Sequence, residues 1–280
     1  MGIGRILTTV ALAAALAASA GCERKDDKVA RPGQPPVDAA ESTPADAAAP
    51  LTFSEDNEHA KVGLKLPEAI KRQPDLHARL YAEGVKDLKA FAEGAAGERA
   101  ELEGQGMEIP PYMREIEWNV GADTGKLMSL WSLQSEYTGG AHGNAAYGAA
   151  LWDKALKRMV SANQLFDRGA DPVLDKALCD AIIAAKRERL GAEYVPPGQD
   201  WNCPKWRDTV FALAPSTQAG KAGGLVFLLP PYAVGPYAEG TYEVTVPLSA
   251  FAGEVAAAYA DEFAGLPRPQ VAQAAAAPKG

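Results

Sequence analysis

The stretch KLMSLWSLQSEYTGGAHGNAAYGAALWD, Lys126 to Asp153, decides how this chain folds. Its first half alternates: Leu127, Ser129, Trp131, Leu133, Ser135 and Tyr137 fall on one side of an extended backbone. Its second half does the same through Tyr147, Ala149 and Leu151. Between them lies TGGAHGN, residues 138–144, whose Gly139, Gly140 and Gly143 allow the positive φ angles of a bending or bulged backbone. Two period-two runs around such a turn predict adjacent antiparallel strands. Upstream, YMREIEWNV alternates through Ile116, Trp118 and Val120, and GADTG (Gly121 to Gly125) marks another turn, so the three runs form a meander.

The pattern extends outward on both sides. KVGLKL puts Val62, Leu64 and Leu66 on one face, a strand near Ala60 to Leu66. Pro74 suits the first turn of a helix whose stripe is Leu76, Leu80, Leu88 and Phe91, with Gly94 to Gly106 a loop or weak helical end. After MVSANQLFD, Asp171 reads as an N-cap and Pro172 as the first residue of a helix that turns Leu174, Leu178, Ile182 and Ala185 inward. GLVFLLP (Gly224 to Pro230) and TYEVTVPL (Thr241 to Leu248) are two more strands. Ser249 is placed to cap a last helix carrying Phe251, Val255, Tyr259 and Phe263. Strands interrupted by helices, mostly antiparallel, predict a single α+β domain over residues 51–266.

The ends read differently. Arg5 followed by the apolar run Ile6 to Ala18 is a signal peptide, too short to span a bilayer. Small residues Ser19, Ala20 and Gly21 precede Cys22, the pattern of a lipoprotein signal in which residues 1–21 are removed and Cys22 is acylated. Several acyl chains, palmitate among them, anchor stably where one would be marginal. Glu23 is not the aspartate that retains lipoproteins at an inner membrane, which favours the periplasmic face of an outer membrane. Residues 22–50, rich in Pro, Ala and Asp, form a tether that cannot bury enough surface to order itself, and residues 267–280 read as a similar tail.

The chain has 280 residues and a net charge of -8. That acidity, without a basic stretch, argues against nucleic acid. In an exported chain Cys179 and Cys203 are expected to pair, closing a loop worth about 3 kcal/mol by the chain-entropy relation; two free thiols are the alternative. Trp201 and Trp206 read as packing for that loop. The three histidines show no metal-ligand spacing and no CxxC is present, so neither metal nor cofactor is expected.

Two loops attract a functional reading. In the first, Tyr137, Gly139, Gly140, His142, Asn144 and Tyr147 surround a glycine turn that brings backbone polar groups within reach of a ligand. In the second, PPYAVGPYAEG (Pro230 to Gly240), Tyr232 and Tyr237 supply rigid amphipathic contact area. A hydrolase using His142 as general base is the alternative; it requires Ser, Asp or Glu within hydrogen-bond reach of the ring, in a cleft. The bland reading is that the glycines only shape a bulge and the tyrosines fold over the core, in a purely structural envelope protein.

SEYTGGAHGN, then LWD and NQLFD, then GGLVFLLPPYAVGPYAEGTYEVTVPLSAF together resemble the extracellular domain shared by RsiV-type anti-sigma factors and the N-terminal region of PdaC-type peptidoglycan deacetylases. The resemblance covers most of residues 51–263. It implies a non-catalytic recognition module, since catalysis in the deacetylases belongs to a separate domain and the RsiV ectodomain binds lysozyme. The chain departs from the first group in having no sigma-binding segment before its apolar run, and from the second in lacking the HxxxH motif. The expected partners are a membrane through Cys22 and, outside it, a lysozyme-like protein or peptidoglycan.

Overall fold

The computed structural model describes residues 49–106, 109–196 and 203–268. The signal peptide, Cys22, Trp201 and nearly all of the expected tether and tail lie outside the described residues. Nine strands and three α-helices follow in order: β1 (Thr52–Asp56), β2 (Ala60–Lys65), α1 (Pro74–Glu103), β3 (Tyr112–Asp123), β4 (Leu127–Tyr137), β5 (Asn144–Asp153), β6 (Arg158–Met159), α2 (Ala162–Leu165), α3 (Ala170–Leu190), β7 (Val210–Pro215), β8 (Ala222–Leu229) and β9 (Tyr242–Pro247). The class is α+β, as expected.

β1 to β6 form one sheet in sequence order, antiparallel except that β2 runs parallel to β3 because α1 carries the chain back across the face between them. β7, β8 and β9 form a second antiparallel sheet. The meander pairs in the register the alternation requires, with Trp131 opposite Ala149 and Leu133 opposite Tyr147.

The first half of β4 is buried on both faces, which its alternation alone does not reveal. Met128 and Leu130 pack into the core under α1, with Val62, Leu64, Leu76, Leu80 and Leu88. Trp131 and Leu133 face the second sheet, against Ala212, Ala214, Val226 and Leu228. The small or polar residues on that side are where the sheets come closest. Ser129 Oγ accepts the Leu213 N–H of β7 at 2.9 Å, so this edge strand's polar group is satisfied by the neighbouring sheet. A Cβ at Gly121 would sit 2.7 Å from Leu213 O, so only glycine lets the backbones meet there. β8 is buried along its whole length, and its other face meets α3 through Phe227, Leu178 and Ile182.

Four sequence expectations are corrected. α1 continues through Gly94 and Gly97 to Glu103: both glycines stand where a Cβ would meet nothing, and Arg99 beyond them is buried, donating to the carbonyls of Ile109 and Pro110. α3 starts at Ala170 after Gly169, so Asp171 does not cap it; its carboxylate accepts instead from Trp206 Nε1 at 2.9 Å and Arg207 Nε at 2.6 Å. Three strands, β1, β6 and β7, lie outside the expected set. Finally, residues 248–263 form three short 3-10 turns rather than a helix. Their backbone bonds go elsewhere: Asp167 N–H donates to Glu254 O and Ala256 N–H to Leu165 O. The four aromatic and aliphatic residues are buried all the same.

Cys179 and Cys203 form the expected disulfide. Asp171, Asp175 and Cys179 repeat every four residues along one stripe of α3 and hold the segment from Cys203 to Arg207. Asp175 accepts the Trp206 N–H at 3.0 Å, and the Trp206 ring is buried beneath.

Candidate functional site

The two glycine- and tyrosine-bearing loops, separated by about ninety residues in sequence, meet at one end of the fold. The turn between β4 and β5 needs its glycines: Gly139 and Gly140 have φ of 94° and 91°. Tyr137 OH closes the turn by donating to Gly140 O at 3.1 Å. The chain then presents His142, which is exposed.

The His142 ring stacks on Tyr237 with centroids 3.7 Å apart and planes inclined by 18°. The Gly143 carbonyl accepts two bonds at 2.9 Å, from Tyr237 OH and from His142 Nδ1. A carbonyl can only accept, so Nδ1 carries a proton, and Nε2 is the ring's outward polar atom. The nearest group to Nε2 is Tyr232 OH at 3.5 Å, the outer limit of a hydrogen bond. Tyr232 is 62% exposed and has a φ of 70°. A bulky side chain in the left-handed region costs about 1–2 kcal/mol, and here it brings the ring to 5.7 Å from Tyr237. The result is a three-ring cluster at the surface, with His142 and Tyr232 exposed and Tyr237 half-buried.

Of the other expected residues, Asn144 lies just past the turn with its Oδ1 on the Ala145 N–H at 3.0 Å. Tyr147 is not at the surface cluster; it lies between the sheets, 6.1 Å from Trp131. Burial pushes its hydroxyl pKa up, against a hydrogen bond with Thr241 that pulls it down.

The loop carrying Tyr237 is anchored by residues that sequence reading did not select. Lys186 Nζ, on α3, reaches Glu239 Oε2 at 2.7 Å, and both side chains are largely buried. Tyr242 OH donates to the same carboxylate oxygen. Burial alone would raise the Glu239 carboxyl, but Lys186, Tyr242 and the charge of Arg189 hold it below the usual glutamate range. Burial and then the Glu239 carboxylate push the Tyr242 hydroxyl up to about 12. Arg189 lies 3.7 Å over the Tyr242 ring and donates to Thr241 O at 3.0 Å. One signal was available: Lys186 continues the buried series Leu174, Leu178, Ile182, and a lysine at a core-facing helix position requires a partner.

No Ser, Asp or Glu side chain is bonded to His142 among the described residues, and no group of metal-ligating side chains is assembled there. What the arrangement offers is an aromatic surface, a ring nitrogen and a phenol, on loops pinned from behind.

Residues 53–145 match the family model described as Deacetylase PdaC, and residues 163–249 the one described as Protein of unknown function (DUF3298). Each spans about a third of the chain, and the cluster lies across both: His142 in the first, Tyr232 and Tyr237 in the second. Among solved structures the chain is similar to a DUF3298-family protein from Bacteroides fragilis, at 17% identity and a TM-score of 0.52, over 75% of this chain and 94% of that one. It is also similar to a DUF3298-family protein from Pseudomonas aeruginosa PAO1, at 18% identity and a TM-score of 0.47, over 78% of this chain and 99% of that one. The first likeness is one of fold. No curated protein matches.

Proposed function

We propose, for a chain built of a PdaC-type segment followed by a DUF3298-type segment, that it is a lipid-anchored binding module of the cell envelope. It is held at the membrane through Cys22, on the periplasmic side of an outer membrane, and it recognises peptidoglycan glycan or the lysozyme-like proteins that attack it. The observation that carries the reading is the stack of the exposed His142 on the half-buried Tyr237, with the exposed Tyr232 beside it. Aromatic faces on rigid loops are the surface on which sugar rings and protein hot spots are held. The PdaC description names a deacetylase, but the hydrolytic alternative needs a positioned base; the His142 ring instead meets a backbone carbonyl and a phenol.

Retention of the full-length chain, solubilised in mild detergent, on purified peptidoglycan and on immobilised lysozyme tests the recognition. Retention on one of the two, reduced at least tenfold in Tyr237→Ala, is expected; no retention on either leaves a structural envelope protein. The anchor is tested separately: Cys22→Ser should abolish incorporation of labelled palmitate, and a cytoplasmic, unacylated chain would overturn it.

A further inference from the structure

On the opposite face of the same hairpin tip lies a cleft of about 240 Å³, lined by Arg114, Gln134, Ser135, Glu136, Asn144 and the adjoining alanines. It exists because α1 covers β2 and β3 and leaves the ends of β4 and β5 uncovered on that side. Arg114, Glu136 and Asn144 stand in one cross-strand row. Arg114 is held from two sides, by Glu136 at 2.7 Å and by Asp87 of α1 at 2.9 Å, and its Nε is buried without a partner. Ser132, further along the same face, is fully buried and its Oγ also has no partner. Gly148 keeps this region open: a Cβ there would stand 2.7 Å from Ser132 Oγ and 3.3 Å from Gln134 Nε2.

Buried polar groups without partners call for one, from water or a ligand. The charges narrow the ligand's chemistry. An anion entering the cleft meets the Glu136 carboxylate and an Arg114 already paired with Glu136 and Asp87, and a cation meets the Arg114 guanidinium. A neutral molecule that both donates and accepts suits guanidinium, amide, carboxylate and hydroxyl together, and closely spaced hydroxyls with an amide have that property.

We propose that this cleft is a subsite for one N-acetylated sugar residue of a glycan that runs over the hairpin tip, another residue of which lies on the His142–Tyr237 stack. The inference rests on the glycan arm of the proposed function. The aromatic faces supply contact area, and the cleft reads hydroxyl and acetamido groups. Glu136 and Asn144 pair at the ends of the strands joined by the turn that carries His142, so one hairpin tip bears both surfaces.

The test is an NMR titration of the full-length chain with the N-acetylglucosamine tetramer, following side-chain amide signals. The Gln134 and Asn144 amide signals of the wild type should shift, and Gln134→Ala with Asn144→Ala should weaken binding about tenfold, the loss of two ordinary hydrogen bonds. An unchanged melting temperature shows that the variant is folded, and the wild-type shifts locate the sugar without any variant. Binding that leaves both amide signals still, or that only Tyr232→Ala and Tyr237→Ala weaken, overturns the cleft while leaving the recognition surface standing. Retention on lysozyme with no tetramer binding also overturns the cleft alone. Failure with tetramer, peptidoglycan and lysozyme alike removes both readings.

Discussion

Replacing Lys186 by methionine keeps the length of the side chain and removes the ammonium that sits 2.7 Å from Glu239 Oε2. Lys186 is only 2% exposed, so water cannot take its place readily. Breaking a buried ion pair by deleting one partner costs about 3–5 kcal/mol. Glu239 keeps the Tyr242 hydroxyl and the nearby Arg189 charge, which places the loss at the lower end, about 3 kcal/mol. For a domain of this size that is a fall in Tm of about 6–12 °C at pH 7. Adding Glu239→Gln removes the stranded charge and should recover at least half of the loss. The pH dependence has a definite sign. The folded pKa of Glu239 is depressed, so the pair's contribution is complete above the ordinary glutamate value of about 4.3 and is lost as pH falls through the folded value. The gap between wild type and Lys186→Met therefore narrows below about pH 4.3. Thermal and urea unfolding across pH 3 to 7 measure this (pH values set by about that window). A variant that melts within a degree of wild type at pH 7, or a gap that stays constant into acid, refutes the anchoring role given to the pair.

Two further outcomes follow from the same packing. Opening the Cys179–Cys203 disulfide, by reductant or by paired alanines, should cost about 3 kcal/mol for a separation of 24 residues, read by urea unfolding; an unchanged midpoint would mean that the contacts of Asp171 and Asp175 fix the segment alone. Gly121→Ala should destabilise by about 1–3 kcal/mol, because its Cβ has only 2.7 Å to Leu213 O and 3.2 Å to the Ala212 Cβ; a neutral result in the same unfolding assay would mean that the two sheets separate freely there.

The strands legible in the sequence are those with one apolar side chain at every second position, β2 through Val62 and Leu64, the meander, and β9 through Tyr242, Val244 and Val246, together with β8, an apolar run closed by Pro230. β1, TFSED, carries one large apolar residue and lies at a sheet edge, so it gives no period to count. β7, VFALAP, is a short apolar run whose faces are both occupied, which periodicity cannot distinguish from a turn between elements. The spacing of Phe251, Val255, Tyr259 and Phe263 satisfied a helical template and a series of anchored turns equally, and the bonds to Leu165 and Asp167 decided between them. At the site, the members of the aromatic cluster were legible as residue types in glycine- and proline-rich loops. Their stacking was not, because nothing local to either loop records the other. Tyr147 was misplaced for a related reason: its alternation assigns it a face, and only the second sheet determines that this face is covered.

If two distant loops build one contact surface, Tyr232→Gly should weaken it, as read by isothermal calorimetry on whichever envelope ligand retains the chain. Tyr232 is exposed, has the rings of His142 and Tyr237 as its aromatic neighbours, and holds a φ of 70° that glycine adopts freely. The expected result is a melting temperature equal to or above that of wild type together with at least a tenfold loss of affinity. Undiminished affinity in the glycine variant would contradict it.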